Sequence, residues 1–337
     1  MKRRVLVVAI AIGLVLVGCS LLVDTKGLVG SAPDAAAFDS GQDGGASGDG
    51  SVDAAVDAPA TDGATTGDAS TGCDWTSPFS SVVRITELCS SSDDETMRFT
   101  PDELVAYLTS KRGDGTTAHL YAASRKSVTD PFGTPVPLAG LGAAQNDFQA
   151  SVTADGLLLF FDSDRPDGGV RHIYSASRTS PTIDFSNVTV HDEIGNATDN
   201  HYRSFATADG LVLYYSGPVD DVFRAQRAST SAPFGAGVAV GELKTSASDD
   251  FAVVTPDDMV VYFDSARPGG AGNGDIWTAR RPAPGMPFGA PVRVVELSSS
   301  DEDVPSWISA DLCRFYFYSN RPGGSGGHDV YLATRSK

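Results

Sequence analysis

The sequence predicts an all-β fold built from one repeated unit, and three observations support this prediction. A short segment of β-branched and aromatic residues recurs five times after residue 93. Beyond the N-terminus, no window has the apolar spacing of an amphipathic helix. Asp-Gly, Pro-Asp and Gly-Gly pairs separate the apolar segments, as hairpin turns do. A serine ends each copy, and these serines lie 49 to 54 residues apart: Ser110, Ser163, Ser216, Ser265 and Ser319.

Each copy has similar neighbours along the chain. An acidic turn precedes it, and a second strand segment such as DIWTARR at 275–281 follows it. In four copies a phenylalanine then opens a third segment. Four short strands in about 50 residues make up one blade of a β-propeller. We therefore predict a single five-bladed β-propeller of four-stranded antiparallel blades over residues 75–337.

The missing fifth copy of the phenylalanine segment lies in front of the repeats. Residues 78–88 (PFSSVVRITEL) align with residues 287–297 (PFGAPVRVVEL). Closing a ring removes the exposed strand edges that an open array would leave. We therefore predict that an N-terminal strand, Val82–Leu88, completes the last blade.

The last repeat carries the clearest motifs, at residues 303–306 (DVPS), 319–324 (SNRPGG) and 329–331 (DVY). These motifs resemble the propeller repeat of TolB-like and WD40-like bacterial proteins, and the resemblance covers residues 78–337. It implies a propeller but little about function, because such propellers host binding, scaffolding and occasional catalysis. The role of TolB itself is not implied, since a tether precedes the repeats here.

Residues 1–18 have the features of a signal peptide. A basic start is followed by an apolar run, Val5 to Val17, that is too short to span a membrane. The run ends in LVGC, which resembles a bacterial lipobox and implies a lipid anchor on Cys19. An ordinary signal peptide with a chance cysteine is the alternative. Ser20, where an aspartate commonly signals inner-membrane retention, implies the outer membrane of the cell envelope.

Residues 19–74 have the composition of a disordered tether. The segment is rich in Ala, Gly, Ser and Thr, and residues 20–74 contain ten aspartates against one lysine. Low hydrophobicity with one-sided charge cannot offset the entropy lost when a chain becomes ordered. We expect this segment to hold the propeller away from a membrane.

An acidic position recurs eight residues before the aspartate of each turn. It is expected at the start of each inner strand, near one mouth of the central channel. These residues could form a ring that binds a polar ligand or a cation on the axis. Alternatively, each aspartate accepts hydrogen bonds from its own turn, and the repetition favours this reading. The positions are Asp94, Asp147, His201, Asp249 and Asp303.

Four repeats contain an arginine two residues after the serine, followed by a Gly-rich turn and an aspartate or histidine. We predict that the arginine pairs across the hairpin with the group that opens the next strand. The third repeat has Gly217-Pro218 instead, and yet keeps Asp221. The predicted pairs are Arg112 with His119, Arg165 with His172, Arg267 with Asp275, and Arg321 with Asp329.

The third repeat is irregular, and function often lies where a repeat pattern breaks. Its polar segment at 190–203 is therefore a candidate for specific ligand contact. The candidate residues are His191, Asp192, Asp199 and Arg203.

Three cysteines follow Cys19, and in an exported protein they lie in an oxidising compartment. Cys73 precedes the closing strand, and Cys313 is near the start of the second strand in the same blade. Cys89 follows the far end of the closing strand. We therefore predict a Cys73–Cys313 disulfide, and three reduced thiols are the alternative.

The sequence has no HExxH motif and no phosphate-binding loop. A net charge of −18 argues against nucleic acid as a partner. We expect a monomeric, non-catalytic module without a cofactor that binds an envelope protein, a peptide or a glycan. The alternative is a carbohydrate-active enzyme that uses carboxylates around the axis.

Overall fold

A computed structural model of the protein describes residues 72–141, 145–165, 169–196 and 198–336. The predicted signal peptide, Cys19 and the tether up to residue 71 lie outside the described residues. Within the described ranges, the chain forms twenty strands and one short 3-10 helix, Asp192–Ile194. No helix there is long and apolar enough to cross a membrane.

The twenty strands form five antiparallel sheets of four strands, which confirms the predicted five-bladed propeller. The first blade contains β2 (Asp94–Phe99), β3 (Val105–Ser110), β4 (His119–Ser124) and β5 (Val136–Pro137). The second contains β6 (Asp147–Val152), β7 (Leu158–Ser163), β8 (His172–Ser177) and β9 (Ser186–Val190). The third contains β10 (Tyr202–Ala206), β11 (Val212–Ser216), β12 (Val222–Gln226) and β13 (Val238–Ala239). The fourth contains β14 (Asp249–Val254), β15 (Val260–Ser265), β16 (Asp275–Arg280) and β17 (Val292–Arg293). The fifth contains β18 (Asp303–Ile308), β19 (Arg314–Ser319), β20 (Asp329–Thr334) and β1 (Ser80–Arg84).

Burial decreases from the inner strand of each blade to the outer strand. Strands β6 and β14 are buried along their whole length, because neighbouring blades cover both of their faces. The outer strand β5 has only two residues, and both are exposed. The hydrophobic core therefore lies between the blades and close to the axis.

A side-chain turn locks the hairpin between the first and second strand of every blade. In the first blade, Thr100 Oγ1 donates to Asp102 Oδ1 (2.6 Å) and accepts from the amide of Val105 (3.1 Å). Such local bonds are the usual role of Thr and Asp in turns. The acidic turn of the repeat therefore has a structural role, because it stabilises this hairpin. Equivalent pairs are Thr153 with Asp155, Thr207 with Asp209, Thr255 with Asp257, and Ser309 with Asp311.

Five equivalent backbone hydrogen bonds join neighbouring blades. In each, the amide at the recurring acidic position donates to a carbonyl just before the third strand of the preceding blade. The bond from Asp94 to His328 (3.0 Å) links the first blade to the fifth and so closes the ring. The other four run from Asp147 to Ala118, from His201 to Arg171, from Asp249 to Asp220, and from Asp303 to Gly274.

The N-terminal strand completes the last blade, but its predicted bounds, Val82–Leu88, are wrong. Strand β1 is Ser80–Arg84 and pairs antiparallel with β20. The amide of Ile85 still donates to Val330 O (3.0 Å), but the amide of Leu88 donates to Ile85 O (3.0 Å). The chain therefore turns over residues 85–88, since it must leave the rim to reach the first inner strand.

Cys73 and Cys313 form the predicted disulfide, with their Cα atoms 5.1 Å apart. The amide of Cys73 also donates to Asp311 O (2.7 Å), so this segment lies against the turn before β19. Cys89 is the free cysteine of the described region. Burial raises the pKa of its thiol to about 12, which keeps it protonated and poorly nucleophilic.

A second set of arginines, which sequence analysis did not single out, packs the blades together. Each follows the third strand and stacks on the phenylalanine of its own blade. Arg281 lies 4.4 Å from the ring centre of Phe288 and donates to the hydroxyl of Tyr214 in the preceding blade (3.0 Å). The sequence contained a signal for this set, because all five segments of the DIWTARR type end in an arginine. The other stacked pairs are Arg125 with Phe132, Arg178 with Phe185, Arg227 with Phe234, and Arg335 with Phe79.

Candidate functional site at the channel mouths

The five inner strands line the axis and all run in one direction, so the channel has two different ends. We call the end formed by the first residues of these strands the N-terminal mouth. The end formed by their last residues and the following turns is the C-terminal mouth. Every blade contributes one equivalent residue to each mouth. A residue of a different type in one blade therefore stands out against this symmetry.

Every inner strand contains an irregularity of register near its third position, counted from the recurring acidic residue. In four blades this position has a positive φ although none of its residues is glycine, which costs backbone energy. Bulges of this kind change the direction in which the following side chains point. The residues are Thr96, Gln149, Arg203 and Phe251, and the fifth blade has Pro305 there.

A cavity of about 190 Å³ lies at the C-terminal mouth. Its wall repeats around the ring, so it is centred on the axis. None of the described residues that line it is Asp, Glu, His or Cys. All five blades contribute the sixth position, namely Phe99, Val152, Ala206, Val254 and Ile308. They also all contribute a small turn residue, namely Pro101, Ala154, Ala208, Pro256 and Ala310.

Arg98 is the charged group in the described wall of this cavity. It is 1% exposed, and its Nε, Nη1 and Nη2 atoms are buried without a hydrogen-bond partner. The guanidinium carbon lies 4.7 Å from the ring centre of Phe205. Burial lowers the pKa of Arg98 to about 9, so the group stays charged at neutral pH. An unpaired buried charge costs several kcal/mol, and such a group calls for an explanation.

Arg98 was not predicted as a site residue, although the sequence contains a signal for it. At the fifth position of the inner strand, the other four blades have uncharged residues. A single cation at a position that is otherwise neutral breaks the repeat in one blade only. The equivalent residues are Ser151, Phe205, Val253 and Trp307.

The recurring aspartates at the N-terminal mouth are buried, and each is bound within its own blade. Asp249 Oδ1 accepts from Arg267 Nη2 (2.7 Å), and its Oδ2 accepts from the amide of Thr245 (2.5 Å). Arg267 also donates to the carbonyl of Leu243. The ligand ring proposed for these positions stays a prediction. The equivalent ion pairs are Arg112 with Asp94 (2.6 Å), Arg165 with Asp147 (2.6 Å), and Arg321 with Asp303 (2.5 Å).

The predicted pairing of these arginines with the third strand is therefore wrong. Asp275 Oδ2 instead accepts the amides of Ala271 (2.6 Å) and Gly272 (3.3 Å). Asp329 Oδ2 accepts the amide of Ser325 (2.7 Å) in the same way. The turn amides bind one oxygen of each of these carboxylates, and the arginines bind the inner aspartates instead. At the two histidine positions, His172 Nδ1 lies 3.0 Å from Asp192 Oδ1, and the arginines bind Asp94 and Asp147 instead of His119 and His172.

In the third blade, an aromatic contact takes the place of the arginine–aspartate ion pair that the other four blades have. His201 occupies the aspartate position, and its ring centre lies 5.7 Å from that of Tyr215. The hydroxyl of Tyr215 donates to Ile194 O (2.9 Å), which corresponds to the leucine carbonyls that the arginines bind elsewhere. Burial lowers the pKa of His201. The irregular blade is thus stabilised in its own way at this position.

The candidate contacts of the irregular segment have partners within the chain, and their role in ligand contact stays a prediction. Both ring nitrogens of His191 are bonded, to Glu193 (2.9 Å) and to Ser175 (2.8 Å). Asp192 lies beside His172, and the amide of Asp199 bonds Asn196 within a local turn. Arg203 forms an ion pair with Asp250 near the N-terminal mouth. Of the four, only Arg203 lies on an inner strand.

Three carboxylic acids on the first and second strands are buried near the N-terminal mouth. Asp162 Oδ1 accepts the amide of Arg203 in the next blade (3.0 Å). The equivalent amide for Asp264 would belong to Pro305, which has none, and Asp264 Oδ1 is buried without a partner. Burial raises the pKa of Asp162 to about 7, and it also raises the pKa values of Asp250 and Asp264.

One group of side chains near the N-terminal mouth has the spacing of cation ligands. Ligand atoms of Asp93, Glu95 and His328 all lie within 4.8 Å of one another. Lys111 Nζ already lies 2.7 Å from Asp93, and His328 bonds Glu302 (3.1 Å). Asp93 and His328 therefore already have charged partners within the chain, and a cation on the axis stays a prediction.

Comparison with known proteins gives structural neighbours but no family. No protein-family model and no curated protein matches the sequence. A protein assigned as TolB from Agrobacterium tumefaciens is 19% identical, with a TM-score of 0.46 over 71% of this chain and 76% of that one. TolB from Acinetobacter baumannii is 13% identical, with a TM-score of 0.40 over 74% of this chain and 56% of that one. The catalytic domain of a Coprinopsis cinerea GH62 α-L-arabinofuranosidase is 12% identical, with a TM-score of 0.44 over 73% and 90%. At these identities the likeness concerns the fold and does not select a function.

Proposed function

We propose that this protein is a non-catalytic binding module that takes an apolar end of its partner into the C-terminal mouth. The cavity wall is the observation that supports this proposal. Its described residues provide no general acid and no general base, and the hydroxyls of Ser151, Thr207 and Thr255 would need such a base to act as nucleophiles. Phe99, Phe205 and Trp307 instead offer aromatic surface in a concave site with few polar groups, as ligand pockets do.

We further propose that the module is monomeric and is held outside the cytoplasm by lipid on Cys19, in the outer membrane. The signal-like residues 1–18 support export, and the Cys73–Cys313 disulfide fits an oxidising compartment. An envelope protein or peptide is the favoured partner and a glycan the second, because the wall offers apolar contacts and few donors for hydroxyl groups.

Blocking the mouth tests this function. Ala208 is exposed on a turn that lines the cavity, so Ala208→Trp should fill the opening without disturbing the core. The immobilised full chain is incubated with envelope extract, and the retained proteins are quantified by mass spectrometry. The control, Ala283→Trp, places the same side chain at an exposed position that does not line the cavity. We expect one or a few partners to fall at least tenfold with Ala208→Trp only. An identical set of retained proteins for both variants would contradict the proposal.

A carbohydrate-active enzyme is the second candidate, because buried acids surround the N-terminal mouth. A general acid needs a raised pKa, and burial provides this for Asp162, Asp250 and Asp264. Wild type, Asp264→Asn and a control at the exposed Asp184 (Asp184→Asn) are assayed on a panel of aryl glycosides. Turnover that falls at least 100-fold in Asp264→Asn alone would favour this function. Absence of turnover by the wild type would contradict this second function.

A further inference from the structure

We infer that Arg98 binds the terminal carboxylate of a peptide whose last residue is apolar and lies in the C-terminal mouth. This inference rests on the proposed function, and it names the ligand chemistry and the residue that recognises it.

Arg98 is a buried cation whose hydrogen-bonding groups all lack a partner. Its three guanidinium nitrogens have no acceptor within the described chain, although the residue is only 1% exposed and lines the cavity. Phe205 covers one face of the guanidinium and leaves its N–H edge unused. A guanidinium presents parallel N–H donors that match the two oxygens of a carboxylate. A carboxylate entering the cavity would supply the missing acceptors and neutralise the charge.

The remaining donors favour one singly charged group. Ser151 accepts the amide of Ala206 (3.0 Å), so its hydroxyl proton is available to a ligand. Thr207 and Thr255 also line the cavity, but their hydroxyls already donate to Asp209 and Asp257. One guanidinium and one hydroxyl suit a carboxylate, whereas a doubly charged phosphate requires more donors.

The rest of the wall favours an apolar residue attached to that carboxylate. Phe99, Phe205 and Trp307 supply aromatic surface, and Ile308 supplies aliphatic surface. A cavity of roughly 150 Å³ holds a benzene-sized group, so about 190 Å³ accepts one aromatic or branched side chain with its carboxylate. The small residues at the opening, such as Ala154 and Ala310, leave room for the preceding chain to extend outwards. A chain terminus meets all these conditions.

The test compares two peptides that differ only in the terminal charge. Acetyl-Gly-Gly-Phe is prepared with a free carboxylate and as the C-terminal amide, and binding to the full chain is measured by calorimetry. Fluorescence of Trp307, which lines the cavity, gives a second readout. We expect the acid to bind at least tenfold more tightly than the amide. 3-Phenylpropionate tests whether a small acid without a peptide binds equally well.

Two variants then locate the charge that makes the difference. Arg98→Met keeps the length of the side chain and removes the guanidinium, and it should bind acid and amide equally. Lys126→Met, which removes a cation from an exposed position, should retain the wild-type preference. Should Arg98→Met fail to fold, the acid–amide comparison on the wild type still decides the ligand chemistry.

The outcomes separate this inference from the proposed function. Equal binding of acid and amide to the wild type overturns the role of Arg98 and leaves binding at the mouth intact. Absence of binding by either peptide overturns both. Equal affinity for 3-phenylpropionate and the peptide acid retains the carboxylate chemistry and overturns the peptide as its source. A preference for the acid that persists in Arg98→Met assigns the carboxylate to another group and overturns the inference.

Discussion

At the scale of single residues, Asp249 explains why one carboxylate recurs at the start of the inner strands. It is fully buried and accepts hydrogen bonds from Ser265 (2.5 Å), Arg267 (2.7 Å) and the amide of Thr245 (2.5 Å). It therefore holds together the first strand, the second strand and the incoming turn. Removing one partner of such a pair leaves a buried cation without compensation.

Replacing this carboxylate should therefore be costly. We expect Asp249→Ala to lower the free energy of unfolding by about 3–5 kcal/mol, because Arg267 loses its counter-ion in a buried site. Urea unfolding followed by tryptophan fluorescence gives the value. Asp184→Ala, at an exposed position, should change stability by less than about 0.5 kcal/mol. A similarly small change in unfolding free energy for both variants would show that the Asp249–Arg267 ion pair is dispensable for stability.

At the scale of elements, the fifth blade depends on two connections to the N-terminal segment. Strand β1 pairs with β20, and the Cys73–Cys313 disulfide ties the residues before β1 to the turn before β19. The bridge spans 240 residues of sequence, so it restricts the unfolded chain over nearly the whole domain. Ring closure is thus reinforced by a covalent bond beside the hydrogen-bonded strand.

Removal of the bridge should weaken the closed ring. We expect the double variant Cys73→Ser/Cys313→Ser to lose about 2–5 kcal/mol of unfolding free energy, chiefly through greater freedom of the unfolded chain. Thermal unfolding with and without reductant provides the measurement, and reductant should lower the wild-type midpoint and leave the variant unchanged. Cys89→Ser is the control and should retain the response to reductant. Equal midpoints for reduced and oxidised wild type would contradict this role.

The elements also show which features of the fold could be predicted from the sequence and which could not. Regular repetition revealed the blades, the closing strand and the disulfide, because equivalent residues in a propeller occupy equivalent places. The bounds of β1 were missed because the aligned segment includes the turn at residues 85–88. The partner of Arg267 was missed because Asp249 and Asp275 are both close in sequence, and only the turn amides decide between them. Arg98 was missed because its importance comes from buried N–H groups that lack a hydrogen-bond partner, and the spacing of residues in the sequence does not reveal this.

At the scale of the whole molecule, buried acids around the N-terminal mouth connect stability to pH. Burial raises the pKa of Asp162 from 3.8 to about 7 and also raises that of Asp250. Between about pH 4 and 7 the folded protein therefore binds more protons than the unfolded chain, and stability falls as pH rises. The pKa of Asp93 is lowered by its bond to Lys111, so its contribution is lost only in more acidic solution.

This linkage predicts a specific pH profile. From pH 5 to 7.5 the wild type should lose about 2–3 kcal/mol through Asp162, since one pKa unit corresponds to about 1.4 kcal/mol. Asp162→Asn cannot ionise and should show a flatter profile in urea unfolding at each pH. Asp184→Asn should follow the wild type. Parallel profiles for wild type and Asp162→Asn would assign the pH dependence to other groups.

The position of the disulfide also determines how a pulling force would enter the domain. Tension applied to the chain before Cys73 passes through the sulfur bridge to Cys313, ahead of β19 in the interior of the last blade. Strand β1 lies off this load path, so its few hydrogen bonds to β20 are not sheared. For a protein held at its N-terminus, the bridge transfers mechanical load past the weakest edge of the ring, and reduction would return that load to β1.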